Sequence, residues 1–179
     1  LVADFSGSMF SHGYTRKAGA DYTNRYATYC NALLMEVGAA LSKNDVPFGI
    51  ATYGDVIVDY KAFTTPWKSV KSKVPCVTNM GSTATAEALH HSILALAKRT
   101  ENKRVIVLVT DGDPNSCQAT VSQMIEAKHA GIHLVVLYLA AEKTQFMVYL
   151  EAQHLIECVA CQNPETLCQS FAQAIKDSF

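Results

Sequence analysis

Short, almost wholly apolar runs alternate along the chain with longer segments in which apolar residues recur every three or four positions. The longest apolar runs cover 105–109 and 132–139 and are rich in β-branched residues. Such runs are typical of strands that are covered on both faces of a parallel sheet. We therefore predict two central, parallel strands at these positions.

The helical pattern is clearest at 22–43, where the apolar residues share one face of a predicted helix. Further helices are predicted at 64–74, 83–99, 118–130, 142–153 and 164–176. Gly131 is well placed to end one of them, because glycine tolerates the positive φ that often follows a helix.

Four weaker strand signals complete the pattern, at 1–4, 47–53, 56–61 and 155–159. Segment 56–61 alternates in polarity and follows Gly54-Asp55, a dipeptide typical of hairpin turns. We therefore predict that it is a half-exposed edge strand, antiparallel to the strand before it.

This order of elements predicts an α/β fold with a doubly wound, mostly parallel six-stranded sheet and helices on both faces. No linker or repeat interrupts the pattern, so we expect a single domain over 1–179. Because Leu1 begins inside an apolar run, we expect a fragment of a longer chain with a truncated first strand. In such sheets ligands bind beyond the carboxyl ends of the strands, where the strand order reverses.

Composition narrows the choice of function. Of the 179 residues, 49% are hydrophobic and 17% charged, and the formal net charge is −1. This balance excludes a disordered chain and argues against binding to nucleic acid, which needs a basic surface. No apolar stretch is long enough to suggest a membrane span. Six cysteines without a disulfide-type spacing favour a reducing, cytoplasmic location.

Oxygen-bearing side chains cluster in three loops. The first loop carries Asp4, Ser6 and Ser8, the second Ser82, Thr83 and Thr85, and the third Asp111 and Asp113. Hydroxyls and carboxylates without a clustered histidine or cysteine are hard ligands, which suit Mg²⁺ or Mn²⁺ and not Zn²⁺. The loops therefore predict a site for a small divalent cation.

The runs D-F-S-G-S at 4–8, G-S-T at 81–83 and T-D-G at 110–112 resemble the metal-ion-dependent adhesion site (MIDAS) of von Willebrand factor A domains. The order of predicted elements resembles that family over essentially the whole chain. The resemblance implies that Ser6, Ser8 and Thr83 bind Mg²⁺ or Mn²⁺ directly, and that Asp4 and Asp111 act through water. Ser82 and Thr85 remain alternatives to Thr83.

The resemblance also implies a non-enzymatic protein-binding module, in which the ion captures an Asp or Glu carboxylate of a protein partner. Cysteine usage resembles the intracellular branch of the family attached to cobalt and magnesium chelatase subunits, which works beside a ring ATPase. The alternative is a Mg²⁺-dependent phosphohydrolase of similar topology. It is disfavoured because no histidine or glutamate of the three loops is an obvious general base.

Other residues of metal-binding type are interpreted as structural. His90 and His91 are adjacent on a predicted helix and face different directions. His133 lies in an apolar run and is expected to be a core histidine. His154 and Cys158 are about 13 Å apart along a predicted strand at roughly 3.3 Å per residue, which is too far for one tetrahedral zinc site.

Overall fold

The computed structural model describes residues 1–12, 25–74 and 78–178. Its strands are β1 (Val2–Asp4), β2 (Ile50–Tyr53), β3 (Ile57–Lys61), β4 (Arg104–Thr110), β5 (Ile132–Tyr138) and β6 (Glu157–Ala160). They form one sheet in the order β3-β2-β1-β4-β5-β6. β3 is antiparallel to β2, and the other pairings are parallel. The predicted fold class is confirmed, including the antiparallel edge strand.

The described helices are α1 (Gly7–Ser11), α2 (Tyr26–Lys43), α3 (Trp67–Val70), α4 (Thr85–Ala97), α5 (Cys117–His129), α6 (Gln145–Ala152) and α7 (Pro164–Ser178). All but α1 coincide with segments predicted to be helical, although α5 begins one residue earlier and α7 ends two residues later than predicted. The predicted helix residues 22–24 and the predicted loop residues 13–21 and 75–77 lie outside the described residues. Gly131 follows α5 with φ +67°, as predicted. None of the described helices is both long and apolar enough to cross a membrane.

Apolar side chains pack on both faces of the sheet, because successive residues of a strand point to opposite sides. In β4, Val107 and Val109 belong to a core shared with α2 and α7, whereas Ile106 and Leu108 belong to a second core shared with α4 and α5. All four side chains are at most 2% exposed. β4 is therefore covered on both faces, as the sequence predicts.

The edge strand β3 departs from the predicted alternation. Val58 and Asp59 are both exposed, whereas Lys61 is buried. The pairing with β2 shifts between Asp59 and Lys61, so a β-bulge breaks the alternation of faces. The Lys61 ammonium donates to the carbonyl oxygens of Phe48 at 2.6 Å and Ala62 at 3.2 Å, which supply acceptors for the buried charge.

His133 is exposed, so the prediction of a core histidine is wrong. β6 pairs with β5 only from Val135 onward, and His133 precedes that point. Its Nε2 lies 3.4 Å from Oε2 of Glu157, the first residue of β6.

Candidate functional site

The candidate site lies at the carboxyl ends of β1 and β4, the neighbouring parallel strands between which the strand order reverses. β1 ends at Asp4, and β4 ends at Thr110, directly before Asp111. A reversal of strand order opens a crevice, because the two connections leave the sheet in opposite directions. The first and third oxygen-rich loops therefore begin side by side.

Asp4 is fully buried, and both of its carboxylate oxygens accept hydrogen bonds. Oδ1 accepts from the Ser6 backbone N–H at 2.7 Å, and Oδ2 accepts from the Thr110 hydroxyl at 2.7 Å. Burial raises the pKa of Asp4 to about 6, against the lowering effect of these hydrogen bonds, and the nearby Asp111 charge raises it further. A nearby cation would stabilise the ionised form of this carboxyl.

A chain of hydroxyls joins the first loop to the third. Ser6 Oγ lies 3.1 Å from Ser8 Oγ, and the Ser8 hydroxyl donates to Oδ1 of Asp111 at 2.6 Å. Ser6 and the Asp111 side chain are buried. Consecutive hydrogen bonds thus bring together four of the five predicted ligands, Asp4, Ser6, Ser8 and Asp111.

The second loop is attached to both other loops through its backbone. The Gly7 N–H donates to the Gly81 carbonyl at 2.7 Å. The Thr83 N–H donates to Oδ1 of Asn115 at 3.2 Å, and the Thr83 carbonyl accepts from the Asn115 N–H at 3.1 Å. Thr83 is therefore held beside the third loop, but among the described residues no hydrogen bond joins its hydroxyl to the Ser6–Ser8–Asp111 chain.

The two alternatives to Thr83 have other partners. The Ser82 hydroxyl and its backbone N–H both bond to the Asp55 carboxylate, the N–H at 2.9 Å, and these bonds lower the pKa of Asp55. Thr85 is buried, and its Oγ1 lies 3.3 Å from the Tyr53 hydroxyl in the core. Thr83 therefore remains our proposed ligand from this loop.

Two residues have roles in the site that were not predicted. Thr110 was named only as part of the T-D-G run at 110–112, and its hydroxyl donates to Asp4. A polar residue at the end of an apolar strand could have pointed to this role. His12 follows α1, and its Nδ1 lies 3.2 Å from Oδ2 of Asp111. The premise that no histidine clusters with the three loops is therefore wrong. Asp113, named with the third loop, instead accepts a hydrogen bond from the Thr144 hydroxyl at 2.9 Å.

The donor set fits a small, hard cation. Two buried carboxylates and two serine hydroxyls converge at one place, and such oxygens are the ligands that Mg²⁺ and Mn²⁺ prefer. Within the described ranges, no group of three or more His, Cys, Asp or Glu side chains is arranged to hold a metal. An ion at this site would therefore depend on serine and threonine hydroxyls for part of its coordination.

Known structures resemble this fold closely. The vWF domain of the type V pili tip protein Mfa5 from Porphyromonas gingivalis has a TM-score of 0.74 at 12% identity, over 98% of this chain and 93% of that one. Manganese-loaded TRAP protein from Plasmodium vivax has a TM-score of 0.67 at 18% identity, over 94% and 68%. Proximal thread matrix protein 1 from the mussel byssus, with a zinc-occupied MIDAS motif, has a TM-score of 0.68 at 16% identity, over 98% and 43%.

These identities are low, so the structural likeness establishes the fold alone. The chain spans about half the length of several such structures, 59% in one case and 43% in another. No curated protein sequence matches the chain. A sequence profile of the von Willebrand factor type A domain does match, over residues 1–153. Since that match covers most of the chain and agrees with the observed sheet, the chain belongs to the von Willebrand factor type A domain family.

Proposed function

We propose that the chain is a divalent-cation-dependent protein-binding module. Ser6, Ser8 and Thr83 hold Mg²⁺, or Mn²⁺ in its place, and Asp4 and Asp111 act through water. The bound ion supplies an open coordination position for an Asp or Glu carboxylate of a protein partner. The main support is the hydroxyl chain from Ser6 to Asp111 between the ends of β1 and β4.

The family and its structural neighbours support the same proposal. Von Willebrand factor A domains commonly act as metal-dependent adhesion modules and are typically non-enzymatic. One structural neighbour is loaded with manganese, and another has zinc in its MIDAS motif. A divalent cation is therefore the cofactor to test first.

The hydrogen bonds of Asp4 favour an indirect role for this carboxylate. Both of its oxygens already accept bonds, from the Ser6 N–H and the Thr110 hydroxyl. Direct ligands would then be neutral hydroxyls, which leave most of the charge of a cation available to an acidic group from outside. This charge balance is what favours an acidic partner.

Capture of partners with and without a chelator tests the proposal. The wild-type domain should retain a set of proteins from a lysate in Mg²⁺ or Mn²⁺, lose them in EDTA, and retain them less well in Ca²⁺. Asp4→Ala should retain none of that set, because it lacks a buried carboxylate of the site. Replacing the essential acidic residue of an identified partner by its amide should remove most of the affinity. Equal retention in Mg²⁺ and EDTA would contradict the proposal.

A Mg²⁺-dependent phosphohydrolase is the second candidate, and His12 is the observation that favours it. Its imidazole lies 3.2 Å from Asp111 and is well exposed, where a general base is needed. Turnover of a generic phosphate ester in Mg²⁺, lost in His12→Ala, would support the hydrolase. A binding module gives no turnover.

The cellular location of the domain and the assembly to which it belongs are also proposals. We propose a reducing, cytoplasmic location and an assembly of the chelatase type with a ring ATPase as partner. Cysteine usage supports it: the five described cysteines are free, and Cys76 lies outside the described residues. Identification of a ring ATPase among the Mg²⁺-dependent partners is the test, and a set of exclusively extracellular partners would contradict it.

A further inference from the structure

His12 lies at the rim of the candidate site, and we infer that it is a positioning residue for the Asp111 carboxylate. It acts on the bound cation through Asp111 rather than as a ligand. This inference rests on the proposed function, because the quantity it changes is the affinity for Mg²⁺ or Mn²⁺.

The first observation is that each oxygen of Asp111 has its own partner. The Ser8 hydroxyl donates to Oδ1 at 2.6 Å, and Nδ1 of His12 lies 3.2 Å from Oδ2. A carboxylate with both oxygens engaged is fixed in rotation about its terminal bond. His12 therefore keeps Oδ1 directed at the hydroxyl chain that is proposed to hold the ion.

The second observation is the burial of Asp111. Its side chain has no exposed surface, whereas the His12 side chain is 63% exposed. Among the described residues, no other group donates a hydrogen bond to Oδ2. Loss of the imidazole would therefore remove the donor to Oδ2 that the described residues supply, and the carboxylate would be less constrained in its rotation.

The third observation is that the backbone holds His12 in place from both sides. Its N–H donates to the Ser8 carbonyl at 2.8 Å, and its own carbonyl accepts from the Tyr26 N–H at 3.1 Å. These bonds attach the residue to the end of α1 and the start of α2. These backbone hydrogen bonds remain when the side chain is replaced. A change in cation affinity can therefore be measured in a variant whose backbone is still held in place at this position.

A direct role as a nitrogen ligand has a different signature. Imidazole raises affinity for Mn²⁺ and Zn²⁺ much more than for Mg²⁺. In the structure Nδ1 contacts the carboxylate of Asp111, which is itself proposed to act through water, so His12 lies outside the set of direct ligands. A positioning residue should therefore affect Mg²⁺ and Mn²⁺ alike.

The test is calorimetric titration of tag-free wild type, His12→Ala, His12→Asn and the control His90→Ala with Mg²⁺ and with Mn²⁺. His12→Ala should weaken both affinities by a similar factor, on the order of tenfold, the lower end of the range for outer-shell partners. His12→Asn should recover most of the loss, because its amide nitrogen occupies the place of Nδ1 and also donates. His90 is an exposed histidine on α4, and its replacement should change nothing. The cation-free His12→Asn and His90→Ala proteins should melt like wild type, whereas His12→Ala should melt somewhat lower because Oδ2 loses its donor.

Three results would overturn the inference. Unchanged Mg²⁺ affinity in His12→Ala would show that Asp111 needs no support. A selective loss of Mn²⁺ affinity that Asn does not restore would make His12 a ligand. A lowered melting temperature with no recovery by Asn would make its role structural. Wild-type protein that binds neither cation would instead refute the proposed function, and the inference with it.

Discussion

The buried carboxyl of Asp4 destabilises the cation-free domain. Burial raises its pKa to about 6 from the ordinary 3.8, so the folded protein binds more protons than the unfolded chain between these values. The stability of the cation-free domain therefore falls as the pH rises from about 4 to above 6. At neutral pH the ionised carboxylate is a destabilising group unless a cation offsets it.

We expect Asp4→Asn to stabilise the cation-free domain at pH 7 by about 1–3 kcal/mol, at 1.36 kcal/mol per pKa unit. The amide oxygen can still accept from Ser6, and Thr110 can redirect its hydroxyl to the Gly112 carbonyl, now 3.3 Å away. Thermal melts in EDTA measure this gain, which should vanish near pH 4. The same variant should lose the rise in melting temperature that Mg²⁺ gives wild type.

The control is Asp113→Asn, which changes an exposed carboxylate of the same loop region. It should leave both the pH dependence and the Mg²⁺ response close to wild type. A wild-type Mg²⁺ response in Asp4→Asn would remove Asp4 from the site.

Thr83 and Thr85 allow a matched comparison, because they are two residues apart with different hydroxyl environments. Thr83→Ala should weaken Mg²⁺ binding with little change in melting temperature, since its side chain is half-buried and takes no part in the core. Thr85→Ala should do the reverse, because the buried Tyr53 hydroxyl loses one of its two hydrogen-bond partners and keeps Thr110, at about 0.5–1.5 kcal/mol. Calorimetric titration and melting of both variants decide the assignment, and the opposite result would make Thr85 the ligand.

The sequence alone identifies those site residues that lie close together along the chain. Asp4, Ser6 and Ser8 stand in one short run, and their types are enough to suggest a cation site. His12 was missed because its contact with Asp111 joins residues 99 positions apart and depends on α1, in a segment predicted to be loop. The hydroxyl of Thr110 was missed for the same reason, since its partner Asp4 is 106 positions away.

At the scale of elements, the turn between β2 and β3 holds the second loop in place through a backbone hydrogen bond and close contacts. The Asp55 N–H donates to the Met80 carbonyl, and a Cβ on Gly54 would fall 2.2 Å from that carbonyl oxygen. Gly81 has φ +85°, and a Cβ there would fall 2.0 Å from Oδ2 of Asp55. Two glycines thus permit the close approach that holds the loop of Thr83 in place.

We expect Gly54→Ala to lower both stability and Mg²⁺ affinity, because backbone atoms have to move apart to admit the methyl group. The loss of stability should be about 1–3 kcal/mol, as for other overpacked sites. Gly112→Ala is the matched control: Gly112 adjoins Asp111, yet a Cβ there meets nothing within 4 Å. Melting and titration should show a large difference between the two variants, and equal behaviour would mean that the turn does not hold the loop.

The central strand β4 permits a direct test of the sheet. Val107→Asp places an unpaired charge at a position that is 2% exposed between β1 and β5, and should unfold the domain. The expected loss of several kcal/mol is large against a total stability of about 5–15 kcal/mol. Val58→Asp makes the same change on the exposed edge strand and should remain folded. A soluble Val107→Asp protein that melts cooperatively would contradict the assignment.

Strands and helices could be predicted from the sequence where a local pattern of apolar residues determines the type of element. β4 and most of β5 follow from apolar runs rich in β-branched residues, because such runs are typical of strands covered on both faces. The bulge in β3 was not predictable, since it arises from pairing with β2 and reverses the face of Lys61 relative to the simple alternation. The exposure of His133 likewise depends on where β6 begins to pair.

For the whole molecule, cation binding and folding should be coupled. The proposed ligands come from loops that only the folded sheet brings together, so the unfolded chain has little affinity. Mg²⁺ at 100 times its dissociation constant should then stabilise the domain by about 2.7 kcal/mol. Urea unfolding with and without Mg²⁺ measures this, and Asp111→Ala is the control. An equal midpoint under both conditions would contradict the coupling.

The position of β1 has a consequence for the synthesis of the protein. β1 comes first in sequence among the described strands, yet it is hydrogen-bonded to β2 on one side and to β4 on the other. A ribosome releases it long before Thr110, which lies 106 residues after Asp4. Until β4 emerges, β1 has an open edge, and contacts of such long sequence separation form slowly. A nascent chain that stops before Thr110 therefore carries the whole first loop and still lacks the cation site.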